Sequence, residues 1–407
     1  MNLSKKIFLS LGFGLLLGSL FNYLNLFGGE VFLNFIEIPG SLFISSLKML
    51  IVPVVFFSIV CGVSNLTNIA TLGRIGSISV LFYLITTCIA ITLALIFSSL
   101  IDPGVKKDVT DVGTFIKKEA PELKNVIINI IPSNIFKAFT EANMLQVIFF
   151  AVLFGITLNL IKEKSSKIKE ATLTLNDIFL KMIEVIMYFA PYGVFFLIFK
   201  TFFTQGFTAI FELGEYFFTV LLVLFLHLVF TYGGILLLTR KINILKFFYK
   251  MKNSILFAFS TASSAATIPI NLKTVEESLG VQKSVASFTV PLGATINMDG
   301  TAIMQGVATV FIANTYGVDL SIVDYLSVIL VATLASIGTA GVPGVGLIML
   351  TMVLSQVGLP AEGIALIIGI DRILDMTRTA VNVTGDATVS CVVALAEKKL
   401  DIKKINS

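Results

Sequence analysis

The chain contains no tryptophan, a single histidine and only three cysteines in 407 residues, and just 13% of its side chains are charged. Soluble domains average roughly a quarter charged. With 56% hydrophobic residues and a mean hydropathy of +0.96, so little charge excludes water as the solvent and leaves lipid. The shortage of Cys and His excludes a metal centre with the usual ligand spacing, since Cys61, Cys88 and Cys391 each lie in an apolar run and read as packing. His227, in Leu-Phe-Leu-His-Leu-Val-Phe, reads as a satisfied intramembrane side chain rather than a proton relay. No phosphate-binding loop is present, so a nucleotide-driven pump has no support.

The net charge of +4 comes from short basic clusters between apolar runs, and these form no continuous face for nucleic acid. The N-terminus (Met-Asn-Leu-Ser-Lys-Lys, then apolar) lacks a small-residue cleavage site and reads as a first retained span.

A membrane helix needs about 20 apolar residues. Runs of that kind fall near 7–27, 41–63, 77–101, 144–161, 175–200, 212–238, 285–313 and 362–396, which predicts eight spans. Two further apolar segments, near 254–270 and 326–354, are interrupted by Ser260-Thr-Ala-Ser-Ser-Ala-Ala-Thr-Ile-Pro269 and Ser336-Ile-Gly-Thr-Ala-Gly-Val-Pro-Gly-Val-Gly346. If both re-enter on their own side, Lys5 and Lys6, Arg74, the lysines at 162–169, the basic residues at 240–252 and those at 398–404 share one side. Both termini are then cytoplasmic, in a multi-pass protein of the plasma or inner membrane.

Broken backbone at membrane depth persists only where protein buries it or it lines a cavity. Two interrupted segments in matching positions, each followed by a long helix, point to inverted repeats and to a transporter's binding site. Small-residue packing faces are the bland alternative, but Pro-Gly-Val-Gly does not sustain a helix.

The last span carries Asp371, Arg372, Asp375, Arg378, Thr379, Asn382, Thr384 and Asp386. At 100° per residue, Asp371, Asp375, Arg378, Asn382 and Asp386 fall within an arc of about 80°. A salt bridge between Asp375 and Arg378 alone would leave Asp371, Asn382 and Asp386 on that face without partners. Arg378 offers a planar fork to a carboxylate, Asp375 can accept from an ammonium, and Asn382 can serve either. Together they describe an amino acid with a side-chain acid. Upstream, Asn297-Met298-Asp299-Gly300-Thr301 breaks a long helix, and the carbonyls and carboxylate it exposes are hard ligands suited to a small cation. An intramembrane hydrolase built on Asp371 and Asp375 would explain neither the broken segments nor Arg378 and Asn382. A channel, the third reading, would conduct without substrate.

The residues quoted above resemble the glutamate transporter family, the dicarboxylate/amino acid:cation symporters. The likeness covers the whole chain and is densest in Asn-Met-Asp-Gly-Thr (297–301), Ser-Ile-Gly-Thr-Ala-Gly-Val-Pro-Gly (336–344) and Asp-Met-Thr-Arg-Thr-Ala-Val-Asn-Val-Thr-Gly-Asp (375–386). It implies an all-α, multi-span membrane protein of eight transmembrane helices and two re-entrant hairpins, working as an elevator. Position by position it implies that Arg378 binds the substrate's side-chain carboxylate and Asp375 its amino group. Thr379, Asn382, Thr301 and Met298 would stand alongside, and the main chains at Ser264 and Val342 would hold the substrate from either side. For sodium it implies one site from Asp386 with main-chain oxygens of Gly293, Asn297 and Asn382. A second would use main-chain oxygens of Thr295, Ser336, Ile337 and Thr339, and a third Asp299 and Asn297 with Tyr83, Thr86 and Thr87. Sodium is thus a co-transported ligand, and no resident cofactor is expected.

Relatives for neutral amino acids lack an arginine at the position of Arg378, and those for C4-dicarboxylates lack an aspartate at that of Asp375. Both are kept, which favours aspartate or glutamate. Asp386 and Met298 follow the sodium-coupled pattern, whereas Arg372 follows some proton-coupled relatives, so proton coupling is the alternative. Ala262 and Ala265 depart from the usual first hairpin. The resemblance also implies a homotrimer with a scaffold of 1–70 and 125–205. The transport part would be 71–101 and 206–397, with hairpins at 252–271 and 326–354, followed by a basic tail at 398–407. The glycines 338, 341, 344 and 346 would let the second hairpin act as the outer gate.

Overall fold

Lipid offers a peptide group no partner, so an apolar chain satisfies its backbone within helices. A computed structural model describes residues 3–24, 30–64, 69–104, 131–141, 143–205, 208–336, 341 and 343–407, and within them the only extended pairing is a bridge between Val281 and Leu400. The helices run α1 (Leu3–Tyr23), α2 (Glu30–Met49), α3 (Ile51–Ser64), α4 (Ile69–Ile101), α5 (Ile135–Thr140), α6 (Met144–Leu160), α7 (Ser166–Met187), α8 (Ala190–Gln205) and α9 (Thr208–Leu226). A π-helical turn, His227–Tyr232, joins α9 to α10 (Gly233–Leu238). There follow α11 (Ile244–Thr261), α12 (Ser264–Lys273), α13 (Lys283–Ile296), α14 (Asp299–Thr315), α15 (Ile322–Ser336), α16 (Val345–Gln356), α17 (Ile364–Ala396) and α18 (Ile402–Asn406).

Among the described residues three stretches, Arg74–Ile101, Leu213–Leu238 and Ala361–Ala396, are long and apolar enough to cross a membrane as single helices. The run expected at 175–200 is instead delivered by α7 and α8, bent by 54° at Tyr188-Phe189, and the run at 41–63 by α2 and α3, which meet at Leu50. The preceding helices end four residues before a proline, at Met49 before Pro53 and at Met187 before Pro191, where the proline has no N–H for the i−4 carbonyl and its ring crowds that carbonyl. The run at 285–313 divides into α13 and α14 where Asn297 (φ −88°, ψ 82°) and Met298 leave helical geometry.

Burial separates the long helices by task. The most apolar window of α17 is 83% buried, against 39% for α4 and 44% for the helix through α9 and α10. Thus α17 is interior, whereas the other two keep a lipid face with Leu81, Ile85, Phe225 and Leu238 outward. All residues of α14 from Asp299 to Ala313 are buried as well. The main core runs from α3, α4, α6 and α9 through α14, α16 and α17, and a second cluster joins α10, α11 and α13 to the end of α17. α1 packs on α8 through Gly14 and Gly18, where a methyl would lie 2.8 Å and 2.7 Å from the carbonyl oxygens of Phe195 and Phe199. Small residues four apart are the usual means of close helix approach in lipid.

Both interrupted segments fold as helix pairs. α11 stops where Ala262 takes the left-handed region (φ 52°, ψ 36°), and the Ser263 hydroxyl then caps α12 by accepting from Ala266 N at 3.1 Å. α15 opens on reciprocal bonds between Ser321 and Asp324, and α16 starts after Gly344 at φ 86°. Gly341 O accepts from Ser263 Oγ at 2.8 Å and from Ala265 N at 3.1 Å, so the two tips touch. The basic tail at 398–407 folds back: Gln282 N donates to Lys399 O, Asp401 N to Gly280 O, and Asn406 Nδ2 to Lys241 O.

Candidate substrate and cation site

The polar stripe of α17 meets the break between α13 and α14 on one side and the hairpin tips on the other. Arg378 is fully buried, and its guanidinium faces two carboxylates. Nη1 donates to Asp371 Oδ1 at 2.7 Å, with Nη2 3.5 Å from Oδ2 of the same residue, and Nη2 donates to Asp375 Oδ1 at 2.8 Å. Nε has no partner among the described residues, a donor left over at a buried charge. Asp375 Oδ2 accepts from Gly344 N of the second hairpin at 3.3 Å and lies 3.7 Å from Arg372 Nη1. Arg378 therefore pairs with Asp371 as well as with Asp375, a partner that an Asp375–Arg378 bridge alone would have left out. Spaced seven residues from Arg378, two helical turns away, Asp371 reaches the far side of the same fork.

Thr379 is buried, with its hydroxyl turned back to Asp375 O at 2.7 Å. Gly346 packs where a methyl would come 3.3 Å from Arg378 Nη2, Met304 Cε and Thr301 Cγ2, which puts Thr301 beside the guanidinium. Gly300 presses on the backbone of Arg378, and its N–H donates to Asn382 Oδ1 at 2.7 Å. Asn382 Nδ2 points to Met298 Sδ at 3.4 Å. Ser264 is buried near the junction of the tips, while Val342 lies outside the described residues.

One turn further along α17, Asp386 gathers the first set of expected cation ligands. Asn297 Nδ2 donates to Asp386 Oδ1 at 2.9 Å and to Asn382 O at 3.0 Å, and its Oδ1 is buried without a partner among the described residues. A methyl on Gly293 would lie 2.7 Å from Asp386 Cγ and 2.8 Å from the Tyr83 hydroxyl, so these groups converge on the Gly293 backbone. Asn382 and Asp386 are thus also partnered, through the break between helices α13 and α14.

Asp299 collects the other set. Thr87 Oγ1 lies 2.5 Å from its Oδ1, and Tyr83 and Thr86 stand beside it on α4, all fully buried. Oδ2 accepts from the Tyr232 hydroxyl at 2.7 Å and sits 3.0 Å from His227 Nε2. His227 and Tyr232 were not among the expected site residues. The available signal was a titratable side chain inside an apolar run. Thr295 and Ser336 bond within their own helices, to Leu292 O and Thr333 O, and Ile337 and Thr339 lie outside the described residues. The second hairpin does come within one residue of Thr295, since Gly341 packs on Ala294 O. Among the described residues no three His, Cys, Asp or Glu side chains cluster as a metal centre, so a cation here would draw on one carboxylate at a time, Asp386 or Asp299, together with amide, hydroxyl and main-chain oxygens.

Comparison with known proteins places the chain. Residues 3–395 match the model of the sodium:dicarboxylate symporter family, and the chain belongs to that family. It is 32% identical over 411 residues to the proton/sodium-glutamate symport protein of Geobacillus stearothermophilus, covering 99% of this chain and 96% of the relative. It is 33% identical over 417 residues to the proton/glutamate-aspartate symporter of Escherichia coli, covering 99% and 94%. Mouse excitatory amino acid transporter 3 is 33% identical over 425 residues, covering 91% and 81%. Members of this family are transporters, not enzymes.

Proposed function

We propose that the protein is a secondary active symporter that takes up aspartate or glutamate together with sodium by an elevator movement. The observation that carries this reading is the distribution of charge along α17. Arg378 and Arg372 stand against Asp371 and Asp375, while Asp386 and Asp299 have no Lys or Arg partner among the described residues. A buried carboxylate without a counter-charge costs several kcal/mol, and sodium on the acceptor oxygens of Asn297, Asp386 and Asp299 would supply what is missing. The substrate's side-chain carboxylate would address Arg378, whose Nε has no partner among the described residues, and its ammonium Asp375.

Each sodium entering down a tenfold gradient at about 100 mV releases roughly 1.4 plus 2.3 kcal/mol. A few such ions concentrate an anionic amino acid strongly. In this reading α4, α9–α10, both hairpins, α13, α14 and α17 move together against a trimeric scaffold of α1–α3 and α6–α8. The second hairpin, which touches Asp375 through Gly344, is the outer gate. Cytoplasmic termini follow from the basic clusters.

Proton coupling is the second reading. The names of the two bacterial relatives include protons, and Arg372 lies 3.7 Å from Asp375. Labelled aspartate uptake into proteoliposomes, under a sodium gradient or a pH gradient alone, separates the two. Uptake that needs sodium and vanishes in Asp386→Asn supports sodium symport, and uptake driven by pH alone overturns it while keeping the substrate.

A further inference from the structure

The turn His227–Tyr232 is π-helical, set between regular helix on both sides. In an α-helix, residues five apart point about 140° away from each other. Closing the backbone ring at i→i+5 instead brings them to one side. The ends of this turn land on one atom: His227 Nε2 and Tyr232 Oη lie 3.0 Å and 2.7 Å from Asp299 Oδ2. Their rings pack edge to face with centroids 4.6 Å apart, and neither residue nor Asp299 has any exposed surface. Gly385 of α17 makes the room, because a methyl there would collide with the Tyr232 hydroxyl and the Asn297 amide. The other oxygen, Oδ1, faces Thr87 of α4.

We infer that His227 and Tyr232 are positioning residues for Asp299: they pin Oδ2 from the α9 side, fix the plane of the carboxylate, and so set the strength of the cation site formed on its Oδ1 side. The inference rests on the sodium reading of Asp299 above. It gives the π turn a purpose, since a regular helix could bring only one of the two side chains to the carboxylate. Groups that orient a ligating carboxylate commonly change ion affinity by roughly tenfold or more.

The test uses the full-length purified protein and reads the sodium dependence of its thermal midpoint without substrate, alongside sodium-driven aspartate uptake in proteoliposomes. Tyr232→Phe removes one donor at nearly constant volume, His227→Gln keeps an amide donor, and His227→Leu removes it. The sodium concentration giving half the thermal shift is expected to rise about tenfold in Tyr232→Phe. His227→Gln should fall between wild type and His227→Leu, with the KM for aspartate at saturating sodium unchanged. A role in packing alone would lower the midpoint equally at every sodium concentration, and that result overturns the inference, as does a wild-type midpoint that ignores sodium. A wild type that responds to sodium but moves no aspartate sinks the transport reading and leaves the positioning role standing.

Discussion

The two halves of the α17 stripe are buried alike but balanced differently. Around Arg378, two arginines meet two aspartates, and the protein completes its own charge. Around Asp386 and Asp299 the described partners are an amide, hydroxyls and an imidazole, with no fixed positive charge. The first half is a closed set that a zwitterionic acid could enter by exchanging one ion pair for another. The second is short of positive charge, which the proposed cations would supply. Coupling then needs no separate device, because Asn382 links the halves: its Oδ1 accepts from Gly300 N, and its main-chain oxygen accepts from the Asn297 amide that also holds Asp386.

This contrast predicts opposite responses to neutralisation. Arg378→Ala strands Asp371 in the interior and leaves Asp375 with only the more distant Arg372, and should cost about 3–5 kcal/mol of stability, with aspartate uptake lost at any concentration. Arg378→Lys, which keeps the charge but not the fork, should fold and still fail to take up aspartate. Asp386→Asn removes a charge that has no counter-charge while its amide oxygen still accepts from Asn297. In sodium-free buffer this variant should melt at or above the wild-type temperature, and sodium should no longer raise it. Thermal melts of the variants with and without sodium decide the matter. Destabilisation of Asp386→Asn in sodium-free buffer would break the comparison.

The stripe itself was legible because helical periodicity is enough to put five polar residues on one face, and the hairpins because Pro-Gly-Val-Gly and the Ser-Thr-Ala run do not sustain a helix. What periodicity could not show was which partner each group takes. Asp371 pairs with Arg378 across two turns, which depends on side-chain rotamers as much as on spacing. His227 reaches Asp299 across 72 residues, and only through a π turn that has no composition signature. The bends at Leu50 and Tyr188-Phe189 did have a signal, in Pro53 and Pro191, but hydropathy windows average across such residues.

Gly293 sharpens the comparison from the cation side. In a helix, Gly→Ala ordinarily stabilises by about 1 kcal/mol. Here the added methyl would stand 2.7 Å from Asp386 Cγ and 2.8 Å from the Tyr83 hydroxyl, so overpacking of about 1–3 kcal/mol falls on the cation ligands. Gly293→Ala should therefore shift sodium dependence by about tenfold, while aspartate affinity at saturating sodium holds. Sodium titrations of uptake at fixed aspartate read this directly, and a shift in aspartate affinity alone would place Gly293 in the wrong half.

The smallest effect lies at the hairpin tips, outside both charge sets. The Ser263 hydroxyl has two tasks: it accepts from Ala266 N to cap α12, and it donates to Gly341 O of the second hairpin. Ser263→Ala should cost about 0.5–2 kcal/mol, the usual range for a lost cap, without changing any charge. Because Ala265 N still donates to Gly341 O, the tips remain joined by one bond instead of two, and the second hairpin should open more often. Hydrogen exchange at the amides of Gly344, Val345 and Gly346 is expected to speed up severalfold, with sodium and aspartate affinities each changed less than threefold. Unchanged exchange there would mean that the hydroxyl serves only as a cap for α12, and that the contact between the tips is held by the backbone of Ala265 alone.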